Sequence, residues 1–507
     1  MNTHPQYAAL IDIASIQNFI FQSNDLKDNI GASYLIEHKV FDTYMTTELE
    51  NNHGRKAYSG GGRALLLFDQ ENHAKQFVDN WTTRLLLQIP GLIAHVALDQ
   101  FDDNNYDHML QHLENRLKEN RSFYMPKTTI PAHGITAECR KTGLSAEIWN
   151  HASEKFISSA AHAKINAAKE AQQDINRKYK AILSDQYCFT NQLDELGQIK
   201  NQDSHIAIVH IDGNDMGERF KHIKSLDDAI NLSKAIKKAV ESSFDILLNY
   251  IVAHYDAIMS AIGFDLSFKH TRTWVPICPE TKKKIIPVRP IIMGGDDITF
   301  VCDARLGLFF ANRFIRAFEK QHVTDNQPLS ACAGIAIIKT KYPFYRGYIL
   351  AEQLCHHAKD KRKADRSPCS YMDVHVSTGG ISGSLEKIRR KYYSVPQGNL
   401  LYRPYKIAPK TDEYSFDLLV DNLKQLTQFP NNKLHALRKV LALSKDAGQK
   451  FVQELHYWQK IQQNPPNLPT IPGRNYDKTL FENLITPYFD MIELADFYPV
   501  IKESENA

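Results

Sequence analysis

Two adjacent carboxylates follow a pair of glycines near the middle of the 507-residue chain. The segment "RPIIMGGDDITFVCD", residues 289–303, consists of two apolar, strand-like runs that meet at the glycines. Glycine supplies the positive φ angles of a tight hairpin and lets a phosphate approach the backbone. Asp296 and Asp297 need a separate explanation, because adjacent carboxylates repel each other.

A third acid, Asp212, ends the apolar run "HIAIVHIDG". If that strand lies beside the hairpin, Asp212, Asp296 and Asp297 project at one edge of a sheet, where they resist ionisation unless a cation neutralises them. Carboxylate oxygens favour Mg²⁺ or Mn²⁺ over zinc, and the "GGDD" motif contains no His or Cys. The acids predict a metal-dependent phosphoryl-transfer site. The alternative is a plain surface turn, since Gly and Asp are common turn residues.

The elements that would position these acids occur twice, in the order βαββαβ. The first copy comprises the strand "YAALIDIAS", a long helix over about 16–48, the hairpin "AYSGGGRALLLFD", a helix and the strand "LIAHVALDQF". The second copy starts at "HIAIVHIDG" and adds a helix and a strand at its end. We predict an α+β chain with two ferredoxin-like palm domains, a helical insert and a C-terminal helical domain. The predicted bounds are 1–101 for the first palm, 102–203 for the insert, 204–383 for the second palm and 384–507 for the last domain.

Composition excludes several broad classes of function. The formal net charge of +3 is small for this length, so no overall field predicts a nucleic-acid coat protein. The seven cysteines are scattered without a C-x-x-C pair, which is typical of a reducing compartment. Apolar runs long enough to cross a membrane are absent from the sequence. We therefore expect a soluble cytoplasmic protein with no membrane partner.

Six motifs together resemble one family. In order they are "ALIDIASIQNFIF…LKDNIGASYLI", "IVHIDGNDMG", "IPVRPIIMGGDDITFVC", "CAGIAIIKTKYPFYRGYILAEQLCHHAK", "MDVHVS" and "NNKLHALRKVL". They resemble the large polymerase-cyclase subunit of type III CRISPR effector complexes, whose two palms are related to GGDEF and nucleotidyl cyclase folds. The resemblance implies that the palms bind two ATP molecules and that the second palm makes cyclic oligoadenylates for antiviral defence. It also implies metal binding by Asp212, Asp296 and Asp297, with Gly294 and Gly295 lining the triphosphate.

The resemblance adds candidate residues outside the "GGDD" hairpin. Lys359, in "HHAKDK", is a plausible phosphate contact; the alternative is a solvated helix end. The first palm has "GGGR" where the second has "GGDD", so its own metal site is expected to be lost. Its Gly60, Gly61, Gly62 and Arg63 suit an acceptor ATP pocket, unless these glycines serve only the turn.

Two departures from the family pattern indicate a trimmed member without the HD nuclease domain, or a stand-alone relative. No His-Asp doublet precedes Tyr7, so no DNase activity is expected. Cys139 and the distant Cys188 do not make a four-cysteine set, so structural zinc is doubtful. Guide or target RNA and other type III CRISPR subunits are possible partners. Two alternatives stay open: an RNA-binding scaffold subunit with a silent cyclase, and a synthase that makes another cyclic di- or oligonucleotide from GTP.

Overall fold

A computed structural model describes residues 5–123, 129–197, 204–263, 277–278, 281–377, 383–462, 466–499 and 501. Two sheets dominate it, and their first four strands follow the same spatial order. Numbered along each βαββαβ copy, that order is 2-3-1-4, with every pair among these strands antiparallel. This is the ferredoxin-like arrangement that the sequence predicts, and the mixed α+β fold is confirmed.

The first sheet buries both of its faces because successive side chains of a strand point to opposite sides. Ala9 and Ile11 pack with the helix Glu71–Gln88, whereas Ala8 and Leu10 pack with the helix Tyr106–Arg121. In spatial order the strands are Gly54–Gly60, Arg63–Phe68, Tyr7–Ala14 and Ile93–Gln100.

The second sheet has six strands, and its central strand alternates in the same way. Ile206 and Ile208 face the helix Phe344–Ala364, whereas Ala207 and Val209 face the helices Leu226–Ala253 and Gly307–Glu319. In spatial order the strands are Val288–Gly294, Asp297–Asp303, His205–Gly213, Ala331–Lys339, Tyr371–Val376 and Tyr405–Lys406. Shorter helices Met216–Lys221 and Tyr255–Ala261 and the 3₁₀ turn Ala304–Leu306 complete this part.

The helix expected over about 16–48 is interrupted at residues 21–25, and helical structure then continues without a gap from Leu26 to Asn51. Ser23 accepts a hydrogen bond from the Asp25 backbone N–H at 3.2 Å and donates one to Asp28 at 2.7 Å, which gives this polar stretch a local alternative to helix. The pieces are the α-helices Ile16–Ile20, Leu26–Tyr34 and Met45–Asn51 and the π-helix Leu35–Tyr44.

The region between the palms packs against the first palm through helix Ser159–Lys178. A Cβ at Gly31 would lie 1.9 Å from the Lys164 carbonyl oxygen, so the two helices cross at a distance that only glycine permits. Lys164 Nζ donates to the Phe19 carbonyl at 2.6 Å. Further elements are the helices Lys180–Leu183 and Asp194–Gly197, the strand pair Ile148–Asn150 with Lys155–Ile157, and Tyr187–Cys188 paired with Lys284–Ile285.

The C-terminal region is mainly helical and is attached to the second sheet. Arg403 is fully buried, bonds to Asp490 at 2.7 Å and to Glu493, and donates to the Val374 carbonyl at 2.6 Å. Within the described residues, no helix is both long and apolar enough to cross a membrane. The helices are Leu385–Tyr392, Phe416–Leu426, Asn431–Leu441, Lys445–Ile461, Tyr476–Thr479, Tyr488–Leu494 and the 3₁₀ turn Ala495–Phe497, with the strand pair Ser394–Val395 and Gly398–Asn399.

Candidate functional site

The tip of the second hairpin brings the three predicted acids to one edge of the second sheet. Asp297 is the register partner of Asp212 on the neighbouring antiparallel strand, so their side chains share a face. Asp296 lies in the turn, and its carbonyl accepts from the Gly213 backbone N–H at 3.2 Å. Gly295 has a φ of 67°, the left-handed conformation that glycine adopts most easily.

These acids repel one another in a poorly hydrated position. Burial, followed by the charge of Asp212, raises the pKa of Asp296 to about 6. Burial, followed by the charges of Asp296 and Asp212, raises the pKa of Asp297 well above its ordinary value. A group with a raised pKa in a cluster of like charge is typical of functional sites.

Lys359 supplies one compensating positive charge. Its Nζ lies 2.6 Å from Asp212 Oδ2 and donates to the Gly213 carbonyl at 3.2 Å. Only 20% of its side chain is exposed, so Lys359 is not a solvated helix end. Its contact with phosphate stays a prediction.

The donor set fits a divalent cation. Three carboxylates with a single lysine leave an excess of negative charge; burial, followed by the charge of neighbouring carboxylates, raises the pKa of both Asp296 and Asp297. Oxygen donors of this kind suit Mg²⁺ or Mn²⁺.

Two neighbours of Asp212 were missed by reasoning from the hairpin motif. His210, Asp212 and Cys355 each offer one ligand atom, and these atoms lie within 4.8 Å of one another. His210 precedes Asp212 by two strand positions and therefore shares its face, a period-two signal that the sequence contains. Cys355 comes from the covering helix, one turn before Lys359, and nothing in its local sequence indicates that approach.

The first hairpin lacks the paired acids. Arg63 is the register partner of Asp12, and its Nε lies 3.0 Å from Asp12 Oδ1. Arg121 approaches the other oxygen of Asp12 at 2.6 Å, and Arg63 also lies 3.6 Å from Glu114. The position that holds a carboxylate pair in the second palm therefore holds a carboxylate neutralised by arginines in the first.

The two hairpins meet at their glycines. A Cβ at Gly60 would lie 3.4 Å from the Gly295 Cα, and a Cβ at Gly295 would lie 3.0 Å from the Gly61 backbone nitrogen. Real Cβ atoms rarely come this close to a neighbouring atom. The glycines therefore serve the contact between the palms as well as the turns.

Two cavities, of about 620 and 410 Å³, border the hairpin contact. Asp297 lines the larger cavity and Asp296 the smaller one, since consecutive residues point to opposite sides. Asp212 and Lys359 line neither of these two cavities. Of the other predicted residues, the larger cavity is lined by Gly60, Gly61, Gly62, Gly294 and Gly295, and the smaller one by Gly60, Gly61, Arg63 and Gly295.

Comparison with known proteins identifies the second palm. Residues 205–367 match the family model described as Cas10/Cmr2, second palm domain, which confirms the predicted resemblance over this segment. No curated protein sequence matches the chain.

Solved structures agree with the fold. The crystal structure of Csm1 in T. onnurineus has 14% sequence identity, covers 97% of this chain and 69% of its own, and gives a TM-score of 0.51. Csm1-Csm4 cassettes in complex with pppApA (12% identity, TM-score 0.48) and with cA4 (13%, 0.47) each cover 97% of this chain and 69% of that chain.

Proposed function

We propose that this chain, whose residues 205–367 match a Cas10/Cmr2 second palm domain, is a metal-dependent nucleotidyltransferase that converts ATP into cyclic oligoadenylate second messengers for type III CRISPR-like antiviral defence. The observation that carries the proposal is the carboxylate pair Asp212–Asp297 at the contact between the two hairpins. The second palm keeps this pair, whereas the first palm replaces it with Asp12–Arg63. One palm is thus suited to catalysis and the other to binding.

Asp212, Asp296 and Asp297 would hold Mg²⁺ or Mn²⁺. A cation bound there lowers the pKa of an attacking hydroxyl and offsets charge on the leaving pyrophosphate. Lys359 keeps one oxygen of Asp212 engaged at 2.6 Å and so orients that carboxylate toward its neighbours.

The glycines of the second hairpin provide room for a triphosphate. A Cβ at Gly294 would meet no atom within 4 Å, so open space lies beside the backbone there. Backbone N–H groups in a glycine turn can then donate to phosphate oxygens without a side chain in the way. Gly294 and Gly295 are the residues that we assign to the triphosphate of the donor ATP.

The first hairpin would hold the acceptor ATP. Arg63 borders the smaller cavity and is about half exposed, at 47%, so its guanidinium can reach a nucleotide while it stays near Asp12. Gly60 and Gly61 line the same cavity, and a Cβ at Gly61 would meet no atom within 4 Å, so the backbone is open there; Gly62 lines the larger cavity. In the reaction, the 3′-hydroxyl of the acceptor attacks the α-phosphorus of the donor ATP, the new phosphodiester forms, and pyrophosphate leaves.

RNA and other effector subunits remain possible partners under this proposal. Arg389, in the basic segment "EKIRRKYY", donates two hydrogen bonds of 2.8 Å to the fully buried Asp373. The side chain of Arg389 therefore has a structural role. Any RNA contact by this segment would therefore fall to Arg390 and Lys391.

The proposal is tested by product analysis. The purified chain is incubated with Mg²⁺ or Mn²⁺ and each NTP, with and without RNA, and products are resolved by mass. We expect 3′-5′ linked cyclic oligoadenylates from ATP and none from the Asp296→Ala/Asp297→Ala variant. A ring made from GTP would change the substrate, and undiminished product from the double variant would overturn the site assignment. A chain that makes no product under any condition, alone or with its partners, would support the scaffold alternative.

A further inference from the structure

His210, Asp212 and Cys355 form a second possible metal site that overlaps the first at Asp212. Their ligand atoms lie within 4.8 Å of one another, and they combine imidazole, carboxylate and thiol, a set unlike the all-oxygen set of the hairpin. His210 is 4% exposed and Cys355 is 2% exposed, so both are shielded from water. A mixed nitrogen, oxygen and sulfur set favours Zn²⁺ over Mg²⁺.

The site is built on rigid elements. His210 and Asp212 stand on one face of the central strand, and Cys355 lies on the helix Phe344–Ala364, which packs over that face. The His210 Nδ1 lies 3.0 Å from the Thr299 hydroxyl on the next strand, which fixes the ring. Tetrahedral zinc holds such ligands about 3.5 Å apart, so a shift of about 1 Å would close the set around an ion.

Asp212 and Cys355 have hydrogen-bond partners that a bound cation would replace. Lys359, which pairs with Asp212, also donates to the Gly213 carbonyl at 3.2 Å and keeps that partner if a cation takes the carboxylate. The Cys355 thiol donates to the Cys332 carbonyl at 3.2 Å. On metal binding the thiol loses its proton to solvent, and the sulfur bonds to the cation.

We propose that His210, Asp212 and Cys355 bind Zn²⁺ or a cation of similar preference, and that this ion competes with Mg²⁺ for Asp212. The binding step stands on the geometry alone. The inhibition that follows from it rests on the proposed function, because it requires Asp212 to hold the catalytic cation.

Binding is tested on the full chain without nucleotide, with Co²⁺ as the spectroscopic probe and Zn²⁺ as its competitor. We expect a thiolate-to-cobalt charge-transfer band that Zn²⁺ abolishes. Cys355→Ala and His210→Asn should each weaken Co²⁺ binding by more than the roughly 10–100-fold that loss of an outer-shell contact costs. Cys302→Ala is the matched control. Cys302 is also buried, but it lies on the face of the second sheet opposite to the one that carries His210 and Asp212.

The outcomes separate the two proposals. A wild-type chain with no such band, or a band that survives in Cys355→Ala and in Cys355→Ser, would overturn the zinc site whatever the enzyme does. If ATP is converted, Zn²⁺ should inhibit the wild type and Cys302→Ala at a lower concentration than Cys355→Ala, each measured against its own uninhibited rate. Equal inhibition of all three chains would show that Zn²⁺ acts elsewhere.

Discussion

Asp212 is the register partner of Asp297 in the second sheet. At the equivalent position of the first sheet, Asp12 is the register partner of Arg63. The two sheets share strand order and a two-residue turn in this hairpin, so this difference is one of charge at an equivalent place. A pair of carboxylates requires a cation, whereas a carboxylate with a guanidinium does not. The proposed division of the chain into a catalytic palm and a binding palm rests on that difference.

Asp297→Asn should make the chain more stable and less active. Because the pKa of Asp297 is raised, its ionised form destabilises the folded state at pH values above the pKa in the unfolded chain. We expect a higher unfolding temperature in chelator at neutral pH, and product formation lower by at least about 100-fold.

Two further measurements check the predicted gain in stability of Asp297→Asn. It should shrink as the pH falls toward 4, since the wild-type acid then becomes neutral too. Asp296→Asn should also raise the unfolding temperature, because burial and the charge of Asp212 raise the pKa of Asp296 too. A lower unfolding temperature for both variants would contradict the repulsion that we infer.

Lys359→Met should make stability depend on divalent cations. The substitution removes the charge that lies 2.6 Å from Asp212 and leaves three carboxylates without compensation. Thermal unfolding should show a larger stabilisation by Mg²⁺ than in the wild type. Lys361→Met is the control, because Lys361 forms an exposed pair with Asp365 that contributes about 0.5 kcal/mol or less. Equal responses of the two variants to Mg²⁺ would show that Lys359 is not part of the cation site.

Arg63→Ala should raise the KM for ATP more than it lowers kcat, because Arg63 borders the smaller cavity but lies on the palm without paired acids. Steady-state kinetics with ATP measures both constants. Arg121→Ala is matched to it, since Arg121 also pairs with Asp12 but does not line either cavity. If both variants behave alike, the effect comes from the lost pairing with Asp12 and not from contact between Arg63 and ATP.

His375 should make the folded state less stable in mild acid. Burial, followed by the charges of Arg403 and Arg389, lowers the pKa of His375 to about 3. Below about pH 6.5 the unfolded chain binds a proton that the folded chain does not, so stability present at higher pH is lost as the pH falls. We expect this to amount to about 2 kcal/mol at pH 5. Denaturant unfolding of His375→Gln between pH 7.5 and 5 should show a shallower loss than the wild type; an unchanged slope would assign the effect to other groups.

The sequence predicts the strands around the acids because buried strands are strongly patterned. "HIAIVHIDG" contains four consecutive apolar residues, Ile206 to Val209, as a strand covered on both faces requires, and it runs beside the hairpin as expected. The interruption of the helix predicted over 16–48 was missed because Ser23 and Asp25 form local hydrogen bonds that a pattern of apolar residues does not reveal.

Contacts between distant parts of the chain could not be predicted from the sequence. The approach of Gly60 to Gly295 joins hairpins from two domains, and no local pattern encodes it. The place of Cys355 beside Asp212 depends on how a helix lies across a sheet. The predicted divisions at 101, 203 and 383 stay predictions, and the strand Tyr405–Lys406 already joins the second sheet from beyond the last of them.

The most direct measurement is equilibrium binding of Mn²⁺ to the full chain in the presence of a non-hydrolysable ATP analogue. The account predicts saturable binding that Asp297→Asn abolishes and that Asp12→Asn, a change at the first-palm equivalent of Asp212, leaves in place. Binding that survives in Asp297→Asn, or that is lost in Asp12→Asn, would contradict the assignment of the catalytic cation to the second palm.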